Sequence, residues 1–386
     1  MKLINNIDRQ TRDSGIELLK IFAIFVIVIN HTVQSLTNEA YNIPNNGFVI
    51  DISRATTNIQ CILLQIFRHF GVLGNSVFFI CSAWFLLKSK NWNKKKWLFM
   101  VIEIWVVSIV IFIITYIILY ISIGIIISSL FPTTFGNNWY MTCYLLFYPI
   151  HPILNSIVNM MNQRQLFRST LVMVFLYVFM NFINCSWFFS SAIILWITIY
   201  FAIAYMQKYL MSFVDNIREN IILFIIGVIG FIGIILITDI CGLYSQVLSD
   251  KVMRWVNNCN PFLLAMSIAM FNIARNIHFK NRFINYISKL SLLIYIIHEN
   301  IILRTYFRPA MWNYVYKRFG YSDVIQWVFI ISFIIFIFGI LCSILYVLTL
   351  QRFVNKVSGK LYEVVRIKYL LFEKFCLMIG EKKDNR

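Results

Sequence analysis

Long apolar stretches alternate with short polar ones along the whole chain. Apolar runs of near-spanning length begin at about Ile16, Cys61, Trp97, Asn138, Ser169, Phe188, Ile221, Cys259, Phe283 and Val324. A helix needs about 20 apolar residues to cross the hydrocarbon of a bilayer. Only helices or closed barrels satisfy their backbone there, and these runs lack strand-like alternation. The pattern predicts an all-α membrane protein with about ten transmembrane helices. The run from Cys61 to Leu87 exceeds one plain span, so its first part (CILLQIFRHF) is expected outside the span or in the interface. The polar start MKLINNIDRQTRDSG leads into an apolar run with no small-residue cleavage site after it. That run reads as a retained helix and not as a signal peptide. Nothing repeats at a fixed period and no linker divides the chain. Residues 1–350 therefore read as one multi-pass domain, and 351–386 as a basic tail.

Composition sharpens this picture. The 386 residues are 60% hydrophobic and 13% charged, where a soluble domain carries about 25% charged residues. The net charge of +18 would suit a nucleic-acid binder only if the basic residues shared one soluble face. They sit instead in short loops between apolar runs, which points to topology and anionic lipid, with no nucleic-acid partner. With the N-terminus inside, the inner segments 1–15, 88–96, 162–168, 207–220, 275–289 and 351 onward hold 25 lysines and arginines. The outer segments 37–69, 122–138, 184–190, 240–258 and 304–322 hold 8. A three-to-one bias over ten crossings fits the positive-inside rule, with both termini cytoplasmic and the cell membrane as location. The tail from Lys356 to Lys383 mixes basic residues with Leu361, Tyr362, Val365, Tyr369, Leu370, Phe372 and Phe375. That mixture predicts a helix lying on the cytoplasmic leaflet. The eight cysteines show no CxxC pair and no metal-ligand spacing, so no metal is expected. Cys81, Cys143 and Cys342 read as small hydrophobes within spans, and Cys185 and Cys241 fall near outer loops where they could pair.

Ionisable residues inside spans carry the chemistry, because each costs about 2.5 kcal/mol or more at the bilayer centre. The candidates are Glu17, Lys20 and His31 in the first run, Glu103 in the third, His151 in the fourth, and His298 with Glu299 in the ninth. Eleven helical residues bring Lys20 to within about 20° of His31, separated by about 16 Å along the axis. Glu17 sits three residues before Lys20, where an ion pair can form. His31 lies about 22 Å into its span and His298 about 20 Å into its own. Two histidines at matching depth can share a cavity, or each can bond a neighbouring helix as a structural polar group. Glu103 is expected to pair with Lys20 or a loop lysine. His151, between Pro149 and Pro152, is expected to bond carbonyls freed by the proline kink. Arg68 and His69 would line an external mouth or sit at the headgroups.

Four segments resemble landmarks of the acyltransferase-3 family of membrane acyltransferases. RDSGIELLKIFAIFVIVINH is similar to its opening helix, in which a glutamate, two apolar residues, a basic residue and ten further residues precede a histidine. GNSVFFICSAWFLL resembles its second-helix signature, NNWYMTCYLLFYPIHPILN its tryptophan-led middle segment, and LSLLIYIIHEN its late histidine segment. The chain has Lys20 where the family usually has arginine. Lys94, Lys95 and Lys96 stand where it often has an Arg-x-x-Arg pair, and Ala83 and Trp84 replace the usual glycine and phenylalanine.

The resemblance implies transfer of an acyl group, commonly acetyl from acetyl-CoA, to a sugar hydroxyl of a cell-surface polysaccharide or its lipid-linked precursor. It implies catalysis by His31 and a donor site at Lys20. The basic mouth at Lys20 and Lys94 to Lys96 would hold the donor's phosphates. A neutral histidine is a suitable base for a hydroxyl, and His298 could stabilise the oxyanion or orient the acceptor. Direct transfer and a covalent acyl-histidine both stay open at this level. The alternative is an exporter or flippase for a polysaccharide or lipid-linked glycan. Transporters often carry inverted repeats and paired broken helices, and neither is visible in this sequence.

Overall fold

The computed structural model describes residues 13–37, 50–119, 121–135, 137–184, 191–249, 252–255, 258–320 and 322–384, and the described residues contain no strand. In chain order the helices are α1 (Ser14–Thr37), α2 (Ile59–Arg68), α3 (Phe70–Leu86), α4 (Lys94–Tyr116), α5 (Ile123–Leu130) and α6 (Trp139–Met160). They continue with α7 (Gln163–Val174), α8 (Met180–Asn184), α9 (Ala192–Tyr209), α10 (Met211–Asp215), α11 (Ile217–Tyr244) and α12 (Gln246–Ser249). The last are α13 (Pro261–Asn276), α14 (Arg282–Lys289), α15 (Ser291–His298), α16 (Arg308–Phe319), α17 (Val324–Thr349) and α18 (Gln351–Asp384).

Among the described residues eight helical segments are long and apolar enough to span a bilayer. They are α1, the α2–α3 unit, α4, α6, the α7–α8 unit joined by a π-helical turn at Phe175–Phe179, α9, α11 and α17. The two remaining runs also form helices but fall short of a full span. α13 has 16 residues, and the ninth run is split by Leu290 into α14 and α15, eight residues each.

Asparagine sets many of the helix starts. Asn58, Asn93, Asn162, Asn216, Asn260 and Asn281 each accept a hydrogen bond from a first-turn backbone N–H. Those donors have no partner within the helix, and a short amide side chain reaches them without leaving the loop.

α1 lies at the centre, against α2, α3, α13, α14, α15, α16 and α17. Its apolar window is 72% buried, against 17% for α11, so α1 faces protein where α11 faces outward. Gly71 and Gly74 let α3 approach α1 closely. A Cβ on Gly74 would lie 2.5 Å from both the Ala23 carbonyl oxygen and Ile27 Cγ1, and one on Gly71 would lie 2.6 Å from Asn30 Nδ2. Without a hydrophobic force between helices in lipid, such small residues make tight contact attainable.

The first part of the second run, expected outside the span or in the interface, forms α2 and joins α3 in one apolar unit of 28 residues. α2 packs into the bundle against α1, α11 and α17, with Leu64, Gln65 and His69 fully buried. The helix is interrupted at His69, whose Nδ1 donates to the Gln65 carbonyl. α18 leaves α17 after Leu350 and packs its first turns on α4, burying Val354 and Ser358. Its following residues Leu361, Val364, Val365 and Ile367 are exposed. Cys241 carries a free thiol, and Cys185 lies outside the described residues.

Candidate active site

The centre of the bundle joins α1 to the end of α15. His31 Nδ1 lies 3.0 Å from His298 Nε2 and 3.1 Å from Glu299 Oε1. His298 Nδ1 lies 2.8 Å from the carbonyl oxygen of Ile294. A carbonyl only accepts, so His298 Nδ1 carries the proton and its neutral ring offers a lone pair at Nε2. His31 Nδ1 then faces two acceptors and must itself be the donor. Neutral His31 consequently keeps its lone pair on Nε2, an atom that hydrogen-bonds none of the described residues.

Glu299 is buried to 3% exposure, and two guanidiniums compensate its charge. Arg308 lies 2.6 Å from Oε1 and Arg304 3.6 Å from Oε2. Arg308 also donates to the carbonyls of His31, at 3.0 Å, and of His298, at 3.1 Å. One guanidinium therefore ties both histidine backbones to the carboxylate between them, which a single-point lysine could not do. Trp312, one turn further along α16, donates through its indole nitrogen to the Thr32 carbonyl at 3.0 Å. A third guanidinium, Arg68, donates to Asn30 Oδ1 at 2.8 Å, beside His31 in the chain.

α15 stops at His298 for a local reason. Asn300 caps the next helical segment, its Oδ1 accepting from the Ile302 N–H at 3.0 Å. The chain then passes through a π-helical turn at Leu303–Phe307 into α16. This break presents Glu299 sideways to His31. It also brings Arg308, nine residues later, back to the same point.

A cavity of about 380 Å³ opens between the same helices, and His31, His298 and Glu299 are not themselves among its lining residues. Lys20, Lys96 and Lys289 lie at one end with Glu17 and Ser288; Tyr140, Tyr144 and Tyr295 form part of its wall. Ile27 and Tyr295 also line it, one helical turn before His31 and His298, and the Tyr295 ring is 5.7 Å from that of His298. Lys20 Nζ is 3.3 Å from Glu17 Oε1, and the Ser288 hydroxyl donates to the same carboxylate.

The structure thus separates the basic residues singled out in the sequence. Lys20 and Lys96 line the cavity, whereas Lys94 and Lys95 do not. Lys94 Nζ sits 6.0 Å from the Trp92 ring centre, and Lys95 lies beside Gly359 of α18. Lys289 lines the cavity and escaped notice as a loop charge. Arg304 and Arg308, counted with an outer loop, are turned inward onto Glu299. Their only sequence signal is position, five and nine residues after an intramembrane glutamate.

Two other expectations resolve into structural roles. Glu103 forms no ion pair with a lysine among the described residues: Lys20 is paired with Glu17, and the Glu103 carboxyl stands beside the Tyr346 hydroxyl. His151 Nδ1 donates at 2.5 Å to the Tyr148 carbonyl, which Pro152 leaves without its helical N–H. Pro149 likewise frees the Leu145 carbonyl, and Trp97 Nε1 takes it at 2.8 Å.

His31, His298 and Glu299 place one potential ligand atom each within 4.8 Å of one another, close enough for a metal ion to be considered. The donor set argues for an ion-pair network instead, since Glu299 already meets two guanidiniums and a further cation would face both.

Fold and site together define a multi-pass membrane protein with a buried imidazole–carboxylate centre one helical turn beyond a cavity lined by lysines. A family model described as an acyltransferase domain matches residues 13–353. The chain belongs to the acyltransferase-3 family and is a membrane acyltransferase. No curated protein and no solved structure matches it.

Proposed function

We propose that the protein transfers an acyl group, acetyl by preference, from acyl-CoA to a sugar hydroxyl of a cell-surface polysaccharide or its lipid-linked precursor. The observation that carries this reading is the orientation of His31. Its Nδ1–H is engaged by Glu299 and His298, and its Nε2 lone pair is left to act as a base. His31 Nε2 takes the proton of the acceptor hydroxyl as that oxygen bonds to the thioester carbon. The carbon–sulfur bond then breaks, and the thiolate leaves with a proton as CoA. Glu299, 3.1 Å from Nδ1, stabilises the imidazolium formed in between. His298 orients His31 through Nε2 and sits close enough to contact the reacting group.

The donor's phosphates match the lysine end of the cavity, where Lys20, Lys96 and Lys289 gather. CoA is cytoplasmic, and a cytoplasmic position for this end accords with the lysine bias of the sequence. The test is direct. Purified protein supplied with acetyl-CoA and a hydroxyl-bearing surface glycan should release free CoA thiol and ester-linked acetyl in equal amounts. Glycan movement across a proteoliposome membrane without thiol release would support the exporter reading and defeat this one.

A further inference from the structure

We infer that Asn75 and Ser291 form a subsite that recognises the amides of the donor's pantetheine arm, between the lysines and the histidine pair. The inference rests on the acyl-CoA reading above and extends it to residues that phosphate and base chemistry leave unexplained.

Both side chains line the cavity. Asn75 Oδ1 and Ser291 Oγ are buried polar atoms with no hydrogen-bond partner among the described residues. Ser291 is only 4% exposed. Ser129, Thr170, Asn138 and Asn272 also carry buried oxygens without a partner among the described residues, but of these six side chains Asn75 and Ser291 are the two that line the cavity. Thr32, Ser35, Thr198, Ser267 and Ser343 all turn their hydroxyls back onto the carbonyl four residues earlier. That is the usual refuge of a hydroxyl within an apolar helix, and Ser291 does not take it. Asn30, Asn155 and Asn300 are each engaged by another element, whereas Asn75 is engaged by none. A buried polar atom left unpaired is unfavourable, and these two stand where a ligand in the cavity can satisfy them.

Their placement selects the ligand's chemistry. Gly74 packs against Ala23 and Ile27, so Asn75 lies level with the stretch of α1 between Lys20 and His31. Ser291 follows Lys289 by two residues and precedes Tyr295 by one turn. A donor with phosphates at the lysines and a thioester at His31 places its intervening arm between these two side chains. In acyl-CoA that arm carries two secondary amides, the first only two methylenes from sulfur. An asparagine amide both donates and accepts, matching a secondary amide reciprocally, and a serine hydroxyl can serve either role.

The experiment compares donors that differ in amides alone. S-acetyl-N-acetylcysteamine keeps the first amide and lacks phosphates, and ethyl thioacetate lacks both. Asn75→Leu should lower the ratio of kcat/KM for the first donor over the second by about three- to tenfold, the scale of one hydrogen bond. Ser291→Ala removes only a hydroxyl, and should weaken calorimetric binding of pantetheine by about two- to fivefold. It stands in if Asn75→Leu fails to accumulate. Pantetheine binding is read without turnover, so loss of acetyl-CoA activity in the wild type would fail the functional reading while leaving the subsite testable. Donor ratios and pantetheine affinities that match the wild type in both variants would overturn the subsite.

Discussion

His31 Nδ1 stands 3.1 Å from Glu299 Oε1, and the same carboxylate oxygen lies 2.6 Å from Arg308. The imidazole is therefore held by a carboxylate whose own position is fixed by a guanidinium. Two consequences separate catalysis from structure. His31→Ala removes the base and should lower kcat by about 10²- to 10⁴-fold while the protein still inserts. Glu299→Gln keeps the shape but removes the charge that stabilises the imidazolium, and should fall in the same range. The measurement is acyl transfer by purified, folded variants. Near wild-type turnover by His31→Ala would sink the catalytic assignment.

Arg308 should behave differently, because its work is architectural. It holds the His31 and His298 carbonyls and Glu299 with one planar fork. Arg308→Ala leaves the buried Glu299 carboxylate with Arg304 alone, at 3.6 Å, and breaking a buried pair costs about 3–5 kcal/mol at most here. Its yield of folded protein and its melting temperature should drop first. Arg308→Lys restores the charge without the fork, so melting temperature should recover more than kcat does. Equal recovery of both would show that only the charge matters.

The lysines give a prediction that the sequence alone would have drawn otherwise. Lys94, Lys95 and Lys96 look equivalent as a basic run, yet only Lys96 lines the cavity, in company with Lys20 and Lys289. Alanine at Lys20, Lys96 or Lys289 should raise the KM for acyl-CoA by about two- to fivefold each, and more steeply at low salt. Alanine at Lys94 or Lys95 should have a smaller effect. Lys20→Arg should retain donor binding, since a guanidinium can hold both Glu17 and a phosphate. A uniform response across all five positions would mean that the loop acts only through its summed charge.

What the sequence made legible follows from what hydropathy measures. The runs at Ile16, Trp97, Asn138 and Val324 begin within a few residues of α1, α4, α6 and α17. The run placed at Ser169 starts earlier, at Gln163, because the capping box of Asn162 and Gln165 winds a polar first turn that hydropathy cannot register. Depth counting put His31 and His298 at one level, and the structure brings them to 3.0 Å. It could not foresee Arg308, because the break after His298 redirects the chain, and a residue beyond a break has no helical phase relative to those before it. Lys289 and Asn75 were hidden for a related reason. A loop lysine and a lone asparagine acquire meaning only when a cavity is seen between their helices.

Access of acyl-CoA to the lysine end of the cavity depends on how the protein is oriented in the membrane. If the lysine end of the cavity faces the cytoplasm, reporter fusions after Lys96 and Lys289 should report cytoplasm, and a fusion at Leu130, the last residue of α5, should report the outside. The motivation is the split of 25 inner against 8 outer lysines and arginines. Of the 8 outer residues, Arg304 and Arg308 are paired with Glu299 inside the bundle. The fusions should give unmixed signals, and adding two lysines near Leu130 should not invert them. An outside signal after Lys96 would place the cavity mouth away from cytoplasmic CoA and exclude the direct donor route from that end.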